Sequence, residues 1–143
     1  MPYFKWDEAD LALKIPQIDR QHRSLIDTMN RIFDLNEGKA ERAEIEQTIM
    51  LLRYLMTEHF RDEEAYMASI KFPRLDIHKT IHKQLRLRLE DYIEIYRQGD
   101  GVVSREFFQF LQVWLTSHIM GVDKEFSLAQ PLSETAGARY RRI

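Results

Sequence analysis

Five histidines and two acids are the residues of this chain most able to do chemistry together. His59 and Glu63 stand four apart in HFRDEEAYM, and His78 and His82 stand four apart in HKTIH. On an α-helix that step returns a side chain to the same face one turn on, so each pair can reach one metal ion. His22 and His118 are the remaining histidines, and Asp123 follows His118 in HIMGVD. Either four-residue pair alone is weak, because charged helices produce such spacings by chance. A single histidine on an apolar stripe is more often a hydrogen-bonded core residue than a ligand. Here all five histidines fall on such stripes. Burying a polar ring without a partner costs on the order of 1–3 kcal/mol, so five such placements point to a shared purpose.

The elements that must position these residues read as four helices. An arm over residues 3–17 carries Tyr3, Phe4, Trp6, Leu11, Leu13 and Ile15 and closes at Pro16. The first helix is expected over 18–35, with Ile18, His22, Leu25, Met29 and Ile32 at three- and four-residue steps. Gly38 in NEGK breaks it. The second is expected over 40–68, with Leu52, Met56, His59 and Glu63 on one face. Phe72-Pro73 marks a turn. The third is expected over 73–98, with His78, His82, Leu85, Leu89, Tyr92 and Tyr96 as its stripe and Gly99 at its C-terminus. Ser104 can cap the fourth, whose stripe is Phe107, Leu111, Trp114 and His118. No long strand pattern and no sequence repeat is visible. Short connections predict an all-α fold, an antiparallel up-down-up-down four-helix bundle with an N-terminal arm. The bundle with its arm is expected over residues 1–126 and a C-terminal tail over 127–143. Arg139, Arg141 and Arg142 in that tail read as solvated charges.

Chain direction brings the candidates to one depth. In such a bundle the starts of helices one and three meet the ends of helices two and four. At roughly 1.5 Å per residue, His22, His59, Glu63, His78, His82, His118 and Asp123 all fall some 5–15 Å from the same end. The opposite end, around NEGK and GDG, has no histidine. Asp123 needs a special geometry, because its five-residue step from His118 turns about 140° on a regular helix. Either the backbone widens into a π-type turn or Asp123 sits in a frayed, solvated end after Gly121.

The donor set narrows the ion. Five imidazoles and two carboxylates exceed a tetrahedral zinc site, and magnesium or calcium would not select so many nitrogens. Two octahedral transition-metal ions offer about twelve positions. If Glu63 and Asp123 each bridge both ions, and an oxide or hydroxide bridges them too, one position stays open.

Composition limits the alternatives. The chain has 143 residues, 44% hydrophobic and 31% charged, as an ordinary one-domain globular protein has. A net charge of −2 gives no field for nucleic acid. No apolar run approaches a membrane span. The acidic start, MPYFKWDEAD, does not resemble a secretory signal, and there is no cysteine for disulfide, thiolate or iron–sulfur chemistry. These features lead us to expect a cytoplasmic protein.

The chain resembles the hemerythrin family, in its single-domain bacterial form. The likeness rests on Trp6-Asp7, IDRQH (18–22), HFRDEE (59–64) with Met67, HKTIH (78–82) and WLTSHIMGVDKEF (114–126), and covers roughly residues 3–126. It implies two non-haem iron ions, oxo- or hydroxo-bridged, that bind dioxygen reversibly. It implies His78, His82 and His118 on one iron, His22 and His59 on the other, and Glu63 and Asp123 as bridges. The family shares the five-residue step, which makes Asp123 an implied ligand. By the same likeness Leu115 and Ile119 line an oxygen pocket. Leu25, Ile26 and Phe60 are further candidates for its apolar wall, although all five would pack in any such core. Ligating imidazoles need an acceptor for their second ring N–H, and Gln21 or a backbone carbonyl could serve. The expected role is an oxygen carrier, store or intracellular deliverer, not an enzyme, acting as a monomer. A sensor of oxygen, redox state or nitric oxide is the alternative, as is a di-iron enzyme that handles peroxide or nitric oxide. The absence of a second domain pattern favours the carrier.

Overall fold

The computed structural model describes residues 3–5 and 15–123, the side chains of 119–123 excepted. Trp6, Asp7, Leu11, Leu13, Phe126, the 127–143 tail and its arginines lie outside the described residues, so the expected division at residue 126 does too. The elements are α1 (Pro16–Glu37), α2 (Arg42–Ser69), α3 (Leu75–Gln98) and α4 (Arg105–Val113), which runs on into a π-helix over Trp114–Asp123. There is no strand among the described residues.

Residues paired across the bundle give the helix directions. Gln21 near the start of α1 bonds Asp62 near the end of α2, while Arg31 late in α1 reaches Glu44 early in α2. Arg42 at the start of α2 donates to the carbonyls of Gly99 and Tyr96 at 2.8 and 3.3 Å and also to that of Arg97, all at the end of α3. Asn36 at the end of α1 accepts from the Val103 amide at 2.9 Å, just before α4. Neighbouring helices are therefore antiparallel, as the short connections predict. The Arg42 guanidinium also answers a physical need, because the last carbonyls of a helix have no partner within it and carry partial negative charge.

The ends differ from the sequence expectation in instructive ways. Pro16 does not end the arm. It opens α1, where its missing N–H costs nothing and its fixed φ suits the first turn. α1 does break at Gly38, as expected, but with φ −80° there; the left-handed turn falls on Lys39 at φ 54°, letting the Ala40 amide reach back to the Leu35 carbonyl at 2.9 Å. α2 ends the same way, with Lys71 at φ 55° and the Phe72 amide on the Met67 carbonyl at 2.9 Å. Because Phe72 completes that turn, α3 starts at Leu75, not Pro73. Ser104 caps α4 as expected, its hydroxyl oxygen accepting from the Phe107 amide at 3.1 Å.

The apolar stripes converge on a main core that includes Leu25, Ile26, Met29, Ile32, Leu52, Met56, Phe60, Leu89, Phe107, Leu111, Trp114 and Leu115. Phe4 is buried in it, held by a two-way bond in which Asn30 accepts from its amide at 2.6 Å and donates to its carbonyl at 2.7 Å. Leu85 and Tyr92, on the α3 stripe, are only partly covered. A second, smaller cluster of Ile15, Ile18, Met67 and Phe72 closes the other end. Between the two apolar clusters lies a layer of polar residues.

Candidate metal centre

Six of the seven candidate ligands meet in that layer. His22, His59, Glu63, His78 and His82 are 0% exposed and His118 is 3% exposed. The helix faces explain this: each residue occupies the stripe position its helix buries, at the common depth that chain direction predicts. An interior of this kind would be cheaper to fill with aliphatic side chains, so the polar layer marks function.

Glu63 is the centre of the arrangement. Its Oε2 lies 3.5 Å from His22 Nε2 and 3.3 Å from His59 Nε2. Its Oε1 lies 3.1 Å from His82 Nε2 on the other side. The nitrogens and oxygens form two groups able to hold an ion, His22–His59–Glu63 and Glu63–His82–His118, with donor atoms within 4.8 Å of one another in each. One carboxylate thus serves both groups, one oxygen toward each. His78 stands beside the second group, its ring 6.1 Å from that of His82 and 6.4 Å from that of His118. The chemistry of the set, imidazole nitrogen with a shared carboxylate, fits a pair of transition-metal ions.

The outer nitrogens of two of these rings have defined acceptors. His82 Nδ1 lies 2.8 Å from Glu64 Oε2. His59 Nδ1 lies 2.9 Å from Gln21 Oε1, and Gln21 Nε2 donates to Asp62 Oδ2 at 2.7 Å. Sequence reasoning points to Gln21 as a possible acceptor but misses Asp62 and Glu64. A signal for them is present. Successive helical residues point about 100° apart, so the two acids flanking Glu63 must fan out to either side of it, toward the helices that carry the other histidines.

The candidate oxygen-pocket residues divide. Leu25, Ile26, Phe60 and Leu115 are all buried in the main core. Phe60 lies flat on His82, with ring centroids 4.0 Å apart and planes 6° from parallel, so it faces the His82–His118 group as well as its neighbour His59. The side chain of Ile119 lies outside the described residues, as does that of Asp123. Trp114 is buried against Phe60 and His118, in keeping with a packing role. A cleft of about 350 Å³ between α3 and α4 is lined by Ile81, Leu85, Tyr92, Phe110 and Val113 and reaches His118.

The backbone at Asp123 resolves the question raised by its spacing. Residues 114–123 wind as a π-helix. Its bonds run from i to i+5, so the backbone of Asp123 comes one wide turn after that of His118. The widened turn, not a frayed end, is the observed alternative.

A fold of four antiparallel helices around a buried, carboxylate-centred cluster of histidines defines a class of metal-binding bundle. Comparison with known proteins places it further. The family model for the hemerythrin HHE cation binding domain matches residues 13–127, and the chain belongs to the hemerythrin family. It is 30% identical over 128 residues to the bacteriohemerythrin of Clostridium acetobutylicum, covering 86% of this chain and 98% of that one. It is 27% identical to the bacteriohemerythrin of Methylococcus capsulatus over 87% of this chain and 94% of that one. It is 29% identical to the myohemerythrin of Theromyzon tessulatum over 86% and 90%. A crystal structure of a leucine-to-alanine variant of hemerythrin superposes with a TM-score of 0.81 at 25% identity, covering 89% of this chain and 96% of that one.

Proposed function

We propose that the chain binds dioxygen reversibly at a non-haem di-iron centre and serves as an oxygen carrier or store. One observation carries the reading: the two oxygens of the buried Glu63 carboxylate face opposite groups of imidazoles, as a ligand shared by two ions must. His22 and His59 would hold one iron, and His78, His82 and His118 the other. Glu63 would bridge them, with Asp123 as the second bridge from the π-helix. A pair of irons supplies the two electrons that dioxygen takes up on binding and returns on release.

The protein's own part is to orient and to exclude. Glu64 and Gln21 accept the outer N–H of His82 and His59, which leaves Nε2 of each ring facing inward with its lone pair. Phe60 stacks on His82, Leu25 and Ile26 stand one turn on from His22, and Leu115 stands one turn before His118, all buried and none able to donate or accept a proton, with Ile119 as a further candidate. Water is thereby kept from a redox site whose charge changes are costly in a low-dielectric interior. Nitrogen-rich ligation also separates this centre from the glutamate-rich di-iron sites of ferritin-like bundles. Among the described residues no helix is long and apolar enough to cross a membrane.

The test is direct. The protein loaded with ferrous iron under nitrogen should contain two irons per chain and change its visible spectrum on exposure to air, then recover when oxygen is removed. His82→Ala should lose iron, whereas Arg141→Ala should load fully. One metal per chain with no optical response to oxygen refutes the proposal, and equal loading of the two variants refutes the ligand assignment.

A further inference from the structure

We propose that Asp62, whose polar contacts are with Gln21 and Arg61 and not with a histidine, decides which ring nitrogen of His59 is available to a metal, acting at one remove through Gln21. A side-chain amide can be turned either way, with its oxygen or its NH2 toward a neighbour. For Gln21 the choice is settled by Asp62. Its carboxylate oxygen lies 2.7 Å from one end of the amide and, as an anion, can only accept. The NH2 group must therefore point at Asp62, and the amide oxygen must point at His59 Nδ1, 2.9 Å away. An oxygen there obliges Nδ1 to carry the ring proton. The lone pair is then on Nε2, the atom 3.3 Å from Glu63 in the first ion-holding group. If the amide turned over, its NH2 would donate to Nδ1, the proton would move to Nε2, and the inward nitrogen could no longer be a ligand.

The other half of the site works differently. Glu64 contacts His82 Nδ1 directly at 2.8 Å, and a carboxylate cannot be turned into a donor without being protonated. The His82 orientation is fixed in one step and the His59 orientation in two. The two-step device ends in the open: Asp62 is about a third exposed, with the Arg61 guanidinium 3.9 Å from its Oδ1. Asp62 and Gln21 are positioning residues, and their effect should appear at one ion site only.

The orientation of the His59 ring is a property of the protein alone, while its consequence for metal rests on the di-iron reading, so two measurements separate them. The first uses the full chain stripped of metal with a chelator and labelled with ¹⁵N, at a pH well above the ordinary imidazole range. Long-range ¹H–¹⁵N correlation spectra then report the tautomer of each ring. His59 should be protonated on Nδ1 in the parent protein and become a mixture in Asp62→Ala and in Gln21→Leu, with His82 unchanged. Gln21→Glu combined with Asp62→Asn restores the chain, since the carboxylate introduced at position 21 would accept from both neighbours, and should restore the single tautomer. The second measurement is titration with cobalt(II), followed by its visible spectrum. Asp62→Ala and Gln21→Leu should each weaken one of two sites by about 10- to 100-fold and leave the other within twofold, whereas Glu64→Gln should weaken the other one. A His59 tautomer unaltered in both single variants overturns the proposal, as does equal weakening of both cobalt sites. If the parent protein takes up no second cobalt, the di-iron reading fails while the tautomer spectra still decide the role of Asp62.

Discussion

Replacing Glu63 by glutamine changes one atom at the centre of the site, and the structure says what that atom is worth. The amide has nearly the same shape as the carboxylate, so the 0% exposed position remains filled. It keeps one oxygen. The other becomes an NH2 group, which cannot be a ligand. Whichever way the amide settles, either the His22–His59 side or the His82 side loses its donor. Metal content should therefore fall from two per chain toward one. Stability should follow. A ligand that binds only the folded state contributes about 2.7 kcal/mol when present at one hundred times its dissociation constant. For a chain near 150 residues, each kcal/mol moves Tm by about 2–4 °C. Loss of one ion should thus remove about 5–11 °C of the stabilisation seen when metal is added at that excess. The metal-free variant should melt no lower than the metal-free parent, because it no longer confines a carboxylate away from water. Calorimetry with and without metal, beside elemental analysis of the same samples, measures both quantities. A variant that retains two ions per chain with the parent's metal-dependent rise in Tm would refute the shared-carboxylate geometry.

Three further outcomes follow from other parts of the molecule. Leu115→Ala should cost about 2–5 kcal/mol as a buried truncation and speed loss of the oxygen-binding ferrous form in air, with iron content unchanged; an unaltered decay of the visible spectrum would remove Leu115 from the water barrier. Ser104→Ala should cost about 1 kcal/mol by freeing the Phe107 amide, with Ser104→Asp recovering most of it in thermal melts. At Tyr96, burial holds the hydroxyl above the ordinary tyrosine value of 10.0, with the Arg42 charge opposing and the Glu46 charge adding to the shift. The folded state therefore keeps this proton more tightly than the unfolded one. The stability it contributes is complete below pH 10.0 and is lost as pH rises through the raised folded value. Tyr96→Phe should flatten that alkaline loss of Tm, and an identical alkaline slope would contradict the assignment.

The bundle was legible in the sequence because its signals are local and periodic. Ile18, His22, Leu25, Met29 and Ile32 recur at helical steps, and all are buried on one side of α1. Depth along the bundle follows from counting residues from each turn, which is why the histidines of four helices could be brought to one layer before any contact was known. Helix ends were less readable. Whether the chain turns at Gly38 or at Lys39 depends on the closing bond from Ala40 to Leu35, a choice between neighbours that composition does not make. The division of the imidazoles by Glu63 was also out of reach of spacing alone, since periodicity gives faces and depths but not which oxygen meets which ring. Asp62 and Glu64 are harder to read, because acids on a charged helix are ordinarily solvated; their places on either side of Glu63 are the signal, and the contacts to Gln21 and His82 give it weight.

The π-helix at Trp114–Asp123 carries a consequence for anyone who edits this chain. A π turn is in effect an α turn with one residue too many. Removing a single residue between His118 and Asp123 would let part of this ten-residue winding return to tighter α-type bonds without disturbing its connection to α3. Selection for heat resistance alone should therefore favour such deletions, and with them the loss of the five-residue phase between the two side chains. The looser winding is an inexpensive flaw to repair, and what a repair would lose is the spacing it sets between backbone positions 118 and 123.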